Sequence, residues 1–271
     1  MKNSDKRGHI FVIGNEKGGA GKTTCSMHLI IGLLYNGFTV ASIDTDSRQG
    51  SLTRYIECRN EYNAQNPDQQ VLIPVHFHMP ESKELAIGEK EEDERSRFEA
   101  ILLEQIKNVD YVVIDTPGSY SFLSRLAHSY ADTIITPIND SFLDLDVMAK
   151  IKSNDLSIIK PSIYSQMIWD QKMQKASRDG GTIEWIVMRN RLSNLDAVNK
   201  RKMGTTLEQL AKRISFKIAP GFSERVIFRE LFLQGLTLLD LTKANHGRAF
   251  NISHVAARQE LRDFLNFLNV V

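Results

Sequence analysis

The residues best suited to chemistry lie in the stretch GNEKGGAGKTT, at positions 14–24. Its glycines remove side chains, so that backbone N–H groups can turn toward phosphate oxygens. Lys22 is placed to reach the β- and γ-phosphates, Thr23 to offer a hydroxyl to Mg²⁺, and Thr24 to hold the α-phosphate. The predicted phosphate contacts are Gly18, Gly19, Ala20, Gly21, Lys22, Thr23 and Thr24. A nucleotide with its magnesium ion is the expected ligand.

The loop departs in one respect from the common pattern G-x-x-x-x-G-K-[ST]. Counting back from Gly21, the first glycine of the pattern would stand where this chain has Glu16, and an additional lysine, Lys17, follows it. A solvated surface lysine is the plain alternative. The neighbours of Lys17 favour a role for it at the nucleotide.

Two aspartates, Asp44 and Asp46, follow a buried strand in the stretch SIDTDSRQG. Along an extended chain both side chains point the same way, toward the crevice beyond the strand end. One carboxylate can hold the hydration shell of Mg²⁺ while the other orients a water for in-line attack. An aspartate turn, or an N-cap for the next helix, is the alternative. The nearby phosphate loop favours the chemical role.

The stretch YVVIDTPG offers a further carboxylate, Asp115, at the end of an apolar strand. It suits a magnesium site, and Gly118 lets the backbone approach a γ-phosphate. That contact exists only with a triphosphate, so residues 115–120 are a candidate switch. The predicted metal ligands are Thr23, Asp44 and Asp115.

Asn190 and Arg191 follow a later strand, in the stretch VMRNRL. A carboxamide has the donor and the acceptor needed to read an adenine edge. A simple loop asparagine is an equally good interpretation of Asn190. Asn190 and Arg191 are therefore candidate contacts to the nucleotide.

The elements that position these residues are short apolar, β-branched runs alternating with helical stretches. This alternation predicts an α/β fold, with a mostly parallel sheet flanked by helices on both faces. Such a sheet binds ligands at the carboxyl ends of its strands, so we expect the motifs to share one crevice. The predicted strands are 10–14, 39–44, 111–115, 133–138, 183–188 and 216–219. The predicted helices lie near 22–35, 94–108, 141–152, 163–177, 196–214 and 251–268.

The 271 residues, 42% of them hydrophobic, predict a single domain spanning 1–271. Residues 1–8 are expected to be a flexible N-terminus. The segments 60–70, which is polar, and 81–95, which is acidic, are expected to be surface insertions. The last helix carries Val255, Leu261 and Phe264 at helical spacing, and we expect it to dock on the core rather than anchor to a membrane.

Composition narrows the class of protein. The two cysteines, Cys25 and Cys58, are too few and too far apart for a metal cluster or a disulfide framework. No apolar run has the length of a signal peptide or a membrane span, so a cytoplasmic location is expected. The net charge of +1 implies that any attraction to nucleic acid comes from a local patch.

Such a patch is found between Arg189 and Lys217, where eight residues are basic and two are acidic. On a helical wheel Met203, Leu207 and Leu210 form an apolar stripe, and the basic residues fall opposite or beside it. The candidate DNA contacts are Lys200, Arg201, Lys202, Lys212 and Arg213. An ordinary solvated face is the alternative, and the absence of aromatic residues among the basic ones from Lys200 to Arg213 disfavours single-strand stacking.

The motif KGGAGKTT resembles the deviant Walker A motif of the ParA/MinD superfamily of P-loop ATPases, whose signature lysine stands where Lys17 does. The resemblance implies ATP and ADP as ligands, with Mg²⁺. It also implies that the signature lysine crosses a two-fold interface to the nucleotide of the partner subunit, so that only the ATP state closes into a homodimer. Lys17, Lys22 and Asp46 are then the catalytic residues.

Within that superfamily the segments TPINDSFLD, RNRL, RVIFRELFLQGLTLLDL and AARQELRDFL are similar to the MipZ family of division-plane positioning ATPases. Partitioning ParA proteins usually read DxDPQ, whereas this chain has no proline after Asp46. The resemblance implies a slow, magnesium-dependent ATPase in which Asp46 positions the hydrolytic water and Asp115 lies on the magnesium side. It further implies inhibition of FtsZ assembly, binding to ParB and to non-specific double-stranded DNA, and a nucleoid- and pole-associated location.

Other functions remain open at this point. A ParA-type partitioning ATPase uses the same ATP cycle, and a MinD-type ATPase would bind a membrane. A reductase with a bridging iron–sulfur cluster needs cysteines beyond the DTPG strand, and no cysteine follows Cys58. A scaffold with a structural nucleotide is possible, but Asp46 and Asp115 argue for turnover.

Overall fold

A computed structural model gives the fold and describes residues 7–152, 158–192, 197–241 and 252–270. The strands are β1 (His9–Ile13), β2 (Val40–Asp44), β3 (Val75–His78), β4 (Tyr111–Asp115), β5 (Thr133–Asn139), β6 (Ala149–Ile151), β7 (Ile158–Pro161), β8 (Glu184–Asn190) and β9 (Lys217–Ala219). The helices are α1 (Lys22–Tyr35), α2 (Ser51–Gln65), α3 (Ile87–Asn108), α4 (Phe122–Tyr130), α5 (Phe142–Leu145), α6 (Ile163–Asp179), α7 (Ala197–Ile214), α8 (Ile227–Leu233) and α9 (Ile252–Phe267). A short 3-10 helix, Pro67–Gln69, follows α2.

Seven strands form one sheet in the order β3-β2-β4-β1-β5-β8-β9, and every neighbouring pair is parallel. Ile13 of β1 and Asp44 of β2 both pair with Asp115 of β4. The three strands therefore end at one level, and the loops that follow them meet above the same edge of the sheet. This is the shared crevice that the motif positions predicted.

Helices cover both faces of the sheet, which confirms the predicted α/β class. On one face α1, α2, α8 and α9 bury residues such as Ile30 and Phe264 against the strands. On the other face α3, α4, α6 and α7 do the same with residues such as Leu102 and Leu207. The inner strands β1, β2, β4, β5 and β8 are thus covered on two sides, which explains their nearly continuous apolar sequences.

Helix α1 is enclosed on most sides, with ten of its fourteen residues buried. It begins after Gly21, whose φ of 87° lies in the left-handed region that glycine tolerates. Farther along, a Cβ atom on Gly32 would lie 2.7 Å from the side chain of Leu265, so the glycine allows α9 to pack closely. The helix that follows the phosphate loop is therefore packed between the sheet and α9.

The predicted helix at 141–152 is wrong. Only α5 is helical there, and β6 then pairs with β7 in a separate antiparallel hairpin. The carbonyls of Val147 and Met148 accept hydrogen bonds at 2.5 Å from the hydroxyls of Ser162 and Ser165, at the start of α6. Contacts with a distant segment therefore replace the bonds that a continued helix would make.

The segments 60–70 and 81–95 are more regular than predicted. The first is the end of α2 with the 3-10 helix, and α3 begins at Ile87 within the second. Helices α2, α4 and α8, the edge strand β3 and the strands β6 and β7 were not predicted. The terminal helix is confirmed as α9, which buries Leu261 and Phe264 in the core, although Val255 is 55% exposed.

A buried ion pair joins α2 to the segment after α8. The guanidinium of Arg59 donates to both carboxylate oxygens of Asp240, at 2.7 and 2.8 Å, and both side chains have no exposed surface. Arg59 also donates to the carbonyls of Leu72 and Gly235, at 2.5 and 2.8 Å. Because the remaining hydrogen-bonding groups are satisfied, the pair is the kind of buried charge that a protein interior tolerates.

Replacing Arg59 by methionine removes the guanidinium from a fully buried carboxylate. We expect a loss of about 3–5 kcal/mol in the free energy of unfolding, measured by urea titration. Arg54→Met is the matched control on the same helix, because its ion pair with Glu57 is more than half exposed. A much smaller change is expected there, and equal losses in the two variants would contradict a special role for the buried pair.

Candidate functional site

The phosphate loop runs from β1 into α1 and is held from below. Asn15 donates through Nδ2 to the carbonyl of Pro137 at 2.7 Å and accepts from the backbone N–H of Lys17 at 2.7 Å. Gly18 and Gly19 are exposed, and φ of Gly19 is +73°. The glycines of the loop are therefore open to a ligand, and Asn15 fixes the start of the loop. The sequence analysis did not select Asn15.

Lys22 lies inside the loop and is 9% exposed. Its Nζ atom donates to the carbonyl of Lys17 at 3.1 Å. Burial lowers the pKa of Lys22, and the nearby charges of Asp115 and Asp46 act in the opposite direction. A Cβ on Gly118 would lie 3.3 Å from this Nζ atom, so the loop after β4 passes directly beside the lysine. This proximity fits the predicted switch at 115–120.

Asp115 ties the end of β4 to the first turns of α1. Its Oδ2 accepts from the hydroxyl of Thr23 at 2.7 Å, and its Oδ1 accepts from the hydroxyl of Ser26 at 2.8 Å. Burial, and then the charge of Asp44, raise the pKa of Asp115 to about 7, against the opposing effect of the two hydroxyls and Lys22. Thr23 and Asp115 are thus brought together as predicted, and Ser26 is an additional member of the site.

The aspartates after β2 take different positions. Asp44 is fully buried, and its Oδ2 accepts from the N–H and the hydroxyl of Thr53, at 2.9 and 3.0 Å, in the first turn of α2. Asp44 therefore stabilises the first turn of α2, which is close to the helix-capping role that we gave as the alternative to a magnesium ligand. Asp46 is half-buried and lines the phosphate crevice, where its Oδ1 accepts from the N–H groups of Arg48 and Gln49, at 3.3 and 3.0 Å.

The crevice has a volume of about 530 Å³. The predicted residues that line it are Gly18, Gly19, Gly21, Lys22, Thr23, Thr24, Asp46, Asp115, Gly118 and Arg191. Ala20 and Asp44 are fully buried and do not line it. Lys17 stands at the margin of the loop.

Asn190 lines an adjoining pocket of about 360 Å³, which shares Gly21, Thr24 and Arg191 with the crevice. Its Nδ2 donates to the carbonyl of Ala20 at 2.8 Å, and its Oδ1 accepts from the N–H of Arg191 at 2.9 Å. These bonds make Asn190 a support of the phosphate loop, and contact with an adenine stays a prediction. Phe228 and Phe232 of α8 also line the pocket. The sequence analysis did not select them, although both lie in the stretch RVIFRELFL that it compared with the MipZ family.

Lys17 turns back onto its own chain. Its Nζ forms an ion pair with Oδ1 of Asp144 in α5, and the side chains are 42% and 3% exposed. The other oxygen of Asp144 accepts from the N–H of Asn139 at 2.9 Å. Sequence reasoning missed Asp144 because it placed this residue in a longer helix.

The residues present fit a magnesium nucleotide. Among the described residues, no group of three or more histidine, cysteine, aspartate or glutamate side chains is arranged to hold a metal ion. Magnesium at a nucleotide takes most of its ligands from phosphates and waters, and one or two protein groups suffice. The hydroxyl of Thr23 beside the carboxylate of Asp115 provides that pair.

The predicted basic face is partly confirmed. In α7 Met203, Leu207, Leu210 and Ile214 are buried, and Arg201, Lys202, Lys212 and Arg213 are exposed. The side chain of Lys200 lies outside the described residues. Outside the helix, Arg189 pairs with Asp140 and Lys217 with Glu184, so the positive charge of the region is smaller than the sequence count indicated. No helix in the described part of the chain is both long enough and apolar enough to cross a membrane.

The sequence and the fold were compared with those of known proteins. The sequence model of the family described as ATPase MipZ matches residues 9–271. The sporulation initiation inhibitor protein Soj of Bacillus subtilis is 29% identical over 161 residues, which are 53% of this chain and 63% of Soj. The chain spans about three-fifths of the length of such curated relatives.

Two solved structures share the fold. A variant of McdA from Cyanothece in complex with ATP has a TM-score of 0.62 and 16% identity, over 98% of this chain and 96% of that one. A plasmid partition protein from Borrelia burgdorferi bound to AMPPNP has a TM-score of 0.59 and 18% identity, over 98% and 100% of the two chains. At these identities the likeness concerns the fold alone.

The raised pKa of Asp115 predicts a pH-dependent stability. The unfolded carboxyl ionises near 3.8 and the folded one near 7, so stability is lost as the pH rises through that interval. Asp115→Asn removes the buried charge, and we expect its thermal midpoint to exceed that of the wild type near pH 8, with a smaller advantage near pH 5. Asp68→Asn, at an exposed position, is the control. An advantage of Asp115→Asn that is equal at both pH values would contradict the assignment.

Proposed function

Because the chain belongs to the MipZ family of ATPases, we propose that it is an ATP-driven dimerising switch that positions the bacterial division plane. In this proposal the ATP-bound dimer inhibits FtsZ assembly, binds ParB and binds double-stranded DNA without sequence preference. Hydrolysis of ATP, with Mg²⁺ as cofactor, returns the protein to its monomeric state. The nucleoid and the cell poles are the expected locations.

The observation that carries the proposal is the second lysine of the phosphate loop. Lys22 points into the loop, whereas Lys17 lies at its margin with 42% of the side chain exposed. An ammonium group in that position is available to the nucleotide of a second copy. A hydrogen bond to a charged group contributes about 1.5–3 kcal/mol, and a two-fold dimer makes the contact twice. The nucleotide state would thereby control the oligomeric state.

The ion pair with Asp144 sets the condition for this switch. Lys17 must leave Asp144 before it can reach a partner's nucleotide, since one ammonium group cannot serve both sites. Asp144 keeps the N–H of Asn139 as a donor after the lysine has left. A triphosphate in the neighbouring subunit offers the lysine the oxygens and charge of a γ-phosphate, which a diphosphate lacks, and this difference would favour the exchange in the ATP state.

The chain's own residues then have distinct roles in hydrolysis. Lys22 holds the outer phosphates and offsets the charge that develops on them. Asp46, at the mouth of the crevice, orients the attacking water, and the loop at Gly118 follows the γ-phosphate. Thr23 and Asp115 would hold Mg²⁺, which supplies charge neutralisation at the phosphates when it is bound. Asp44 supports this arrangement through the first turn of α2.

The proposed DNA contact is the outward face of α7. Arg201, Lys202 and Lys212 are exposed there, opposite the buried stripe of the helix. Exposed basic residues make salt-dependent contacts to DNA phosphates. A dimer would present two such faces. The chromosome partitioning protein ParA of Myxococcus xanthus, 25% identical over 173 residues, supports ParA-type partitioning as the alternative function, and FtsZ assembly is the observable that separates the two.

Three variants test the switch by light scattering with ATP. Lys17→Ala should stay monomeric, because no ammonium group then reaches the partner's nucleotide. Asp46→Ala should form a persistent dimer with little phosphate release, because the water is not oriented. Asp144→Asn is the matched control, since it frees Lys17 without removing it and should dimerise at an ATP concentration no higher than the wild type needs.

The same samples are then added to FtsZ, and its assembly is followed by light scattering. The wild type and Asp46→Ala should suppress assembly with ATP, and Lys17→Ala should leave it unchanged. Normal dimerisation of Lys17→Ala would refute the role of the lysine. A wild type that dimerises but leaves FtsZ assembly intact would instead favour a partitioning function.

Exchanging Arg201, Lys202 and Lys212 together for glutamine should weaken DNA binding and flatten its salt dependence. The slope of log K against log salt should fall by about 0.9 for each DNA phosphate that the variant no longer neutralises. The affinity is measured by fluorescence anisotropy of a labelled duplex in the presence of ATP. Lys83→Gln with Lys107→Gln, on exposed positions elsewhere, is the control. An unchanged slope in the triple variant would place the DNA on another face.

A further inference from the structure

The loop between β9 and α8 bounds part of the pocket that adjoins the phosphate crevice. Ser223 and Arg225 of this loop line the pocket. Ser223 also forms an isolated parallel bridge with Leu192, just beyond the end of β8. Asn190 and Arg191, the candidate nucleotide contacts, immediately precede Leu192 in the chain. A displacement of the loop would therefore change the pocket at the place where those candidates lie.

Glu260 of the last helix, α9, holds this loop. Its Oε2 accepts from the N–H of Ser223 at 3.0 Å, and its Oε1 accepts from the hydroxyl of Ser223 at 2.7 Å. Oε1 also accepts from Nη2 of Arg225 at 2.6 Å, and the two side chains of this ion pair are only 16% and 23% exposed. Three donors from two residues of the loop thus converge on one carboxylate.

A row of aromatic rings joins the same two elements. Phe264, one turn after Glu260 in α9, is fully buried and packs edge-on against Phe222, with ring centroids 5.5 Å apart. Phe222 in turn stacks on Phe228, which lines the pocket, with centroids 6.0 Å apart. Apolar contacts of this kind do not orient the polar groups of the loop. The charge-assisted hydrogen bonds of Glu260 supply that directional restraint.

Arg225 keeps one donor that the described part of the chain does not satisfy. Its Nη1 donates to the hydroxyl of Ser253 at 2.9 Å, and its Nη2 donates to Glu260. Its Nε is buried and has no hydrogen-bond partner among the described residues. A buried N–H without an acceptor is costly, and a polar molecule in the pocket that Arg225 lines can supply the acceptor.

We propose that Glu260 is a positioning residue for the nucleoside part of the nucleotide, because it holds Ser223 and Arg225 at the wall of the pocket. The phosphate loop has separate supports in Asn15 and Asn190, so the loss of Glu260 should spare phosphate binding. The inference rests on the proposed function, since it takes the ligand to be a nucleotide whose base enters this pocket. It goes beyond that function by giving α9 a part in binding.

The test compares ADP with inorganic pyrophosphate, which can occupy the phosphate loop but has no base or ribose. Isothermal titration calorimetry measures both affinities in the presence of Mg²⁺. In Glu260→Ala the loop loses the acceptor of three hydrogen bonds. We expect the affinity for ADP to fall roughly ten-fold and the affinity for pyrophosphate to change by less than about two-fold.

Glu260→Gln is the conservative variant, because its amide oxygen can still accept from Ser223 while the charge beside Arg225 is lost. Its affinity for ADP should lie between those of the wild type and Glu260→Ala. Should Glu260→Ala fail to fold, the glutamine variant carries the comparison, with weaker binding of ADP and unchanged binding of pyrophosphate expected. Asp263→Ala is the matched control on the same helix, since this exposed carboxylate accepts from Gln259. It should leave both affinities unchanged.

An unchanged affinity for ADP in Glu260→Ala would overturn the proposal. Equal losses for ADP and pyrophosphate would also overturn it, because they indicate a general loosening of the fold. A wild type that binds pyrophosphate as tightly as ADP would contradict this inference alone, since the nucleoside then contributes nothing. A wild type that binds neither ligand would refute the proposed nucleotide site and the inference together.

Discussion

The carboxylate of Asp115 is the contact on which the arrangement of the site depends. It accepts from the hydroxyls of Thr23 and Ser26, so the end of the central strand β4 is bonded to the first turns of α1. The phosphate loop before α1 and the candidate switch after β4 are therefore held at a fixed separation. Burial, and then the charge of Asp44, raise the pKa of this carboxyl to about 7, although the two hydroxyls and Lys22 act in the opposite direction.

The sheet makes this contact possible because its strands are parallel and end in register. Ile13, Asp44 and Asp115 occupy one row across β1, β2 and β4, so three loops from distant parts of the chain open at the same level. Polar side chains outside this row stabilise the loops. Asn15 and Asn190 hold the phosphate loop, and Asp44 holds the first turn of α2. The exposed glycines of the loop can adjust to a ligand while its ends stay fixed.

Lys17 is the charged group of the phosphate loop whose partner can change. Its ion pair with Asp144 holds it within this chain, and in the proposed dimer the nucleotide of a second copy replaces that partner. The same lysine would therefore link the nucleotide state to the oligomeric state.

The sequence by itself determined the nucleotide class and the α/β fold, because glycine spacing, strand-end aspartates and buried apolar runs are local patterns. It also predicted Lys17, Lys22, Thr23 and Asp115 as site residues, and the structure brings Thr23 and Asp115 together. Only the tertiary structure decided where α5 ends, that Asp144 receives Lys17, and that Asp44 caps α2 while Asp46 lines the crevice. The buried ion pair of Arg59 with Asp240 was likewise not predictable from the sequence. Each of these depends on residues far apart in the chain, and local periodicity holds no information about such pairs.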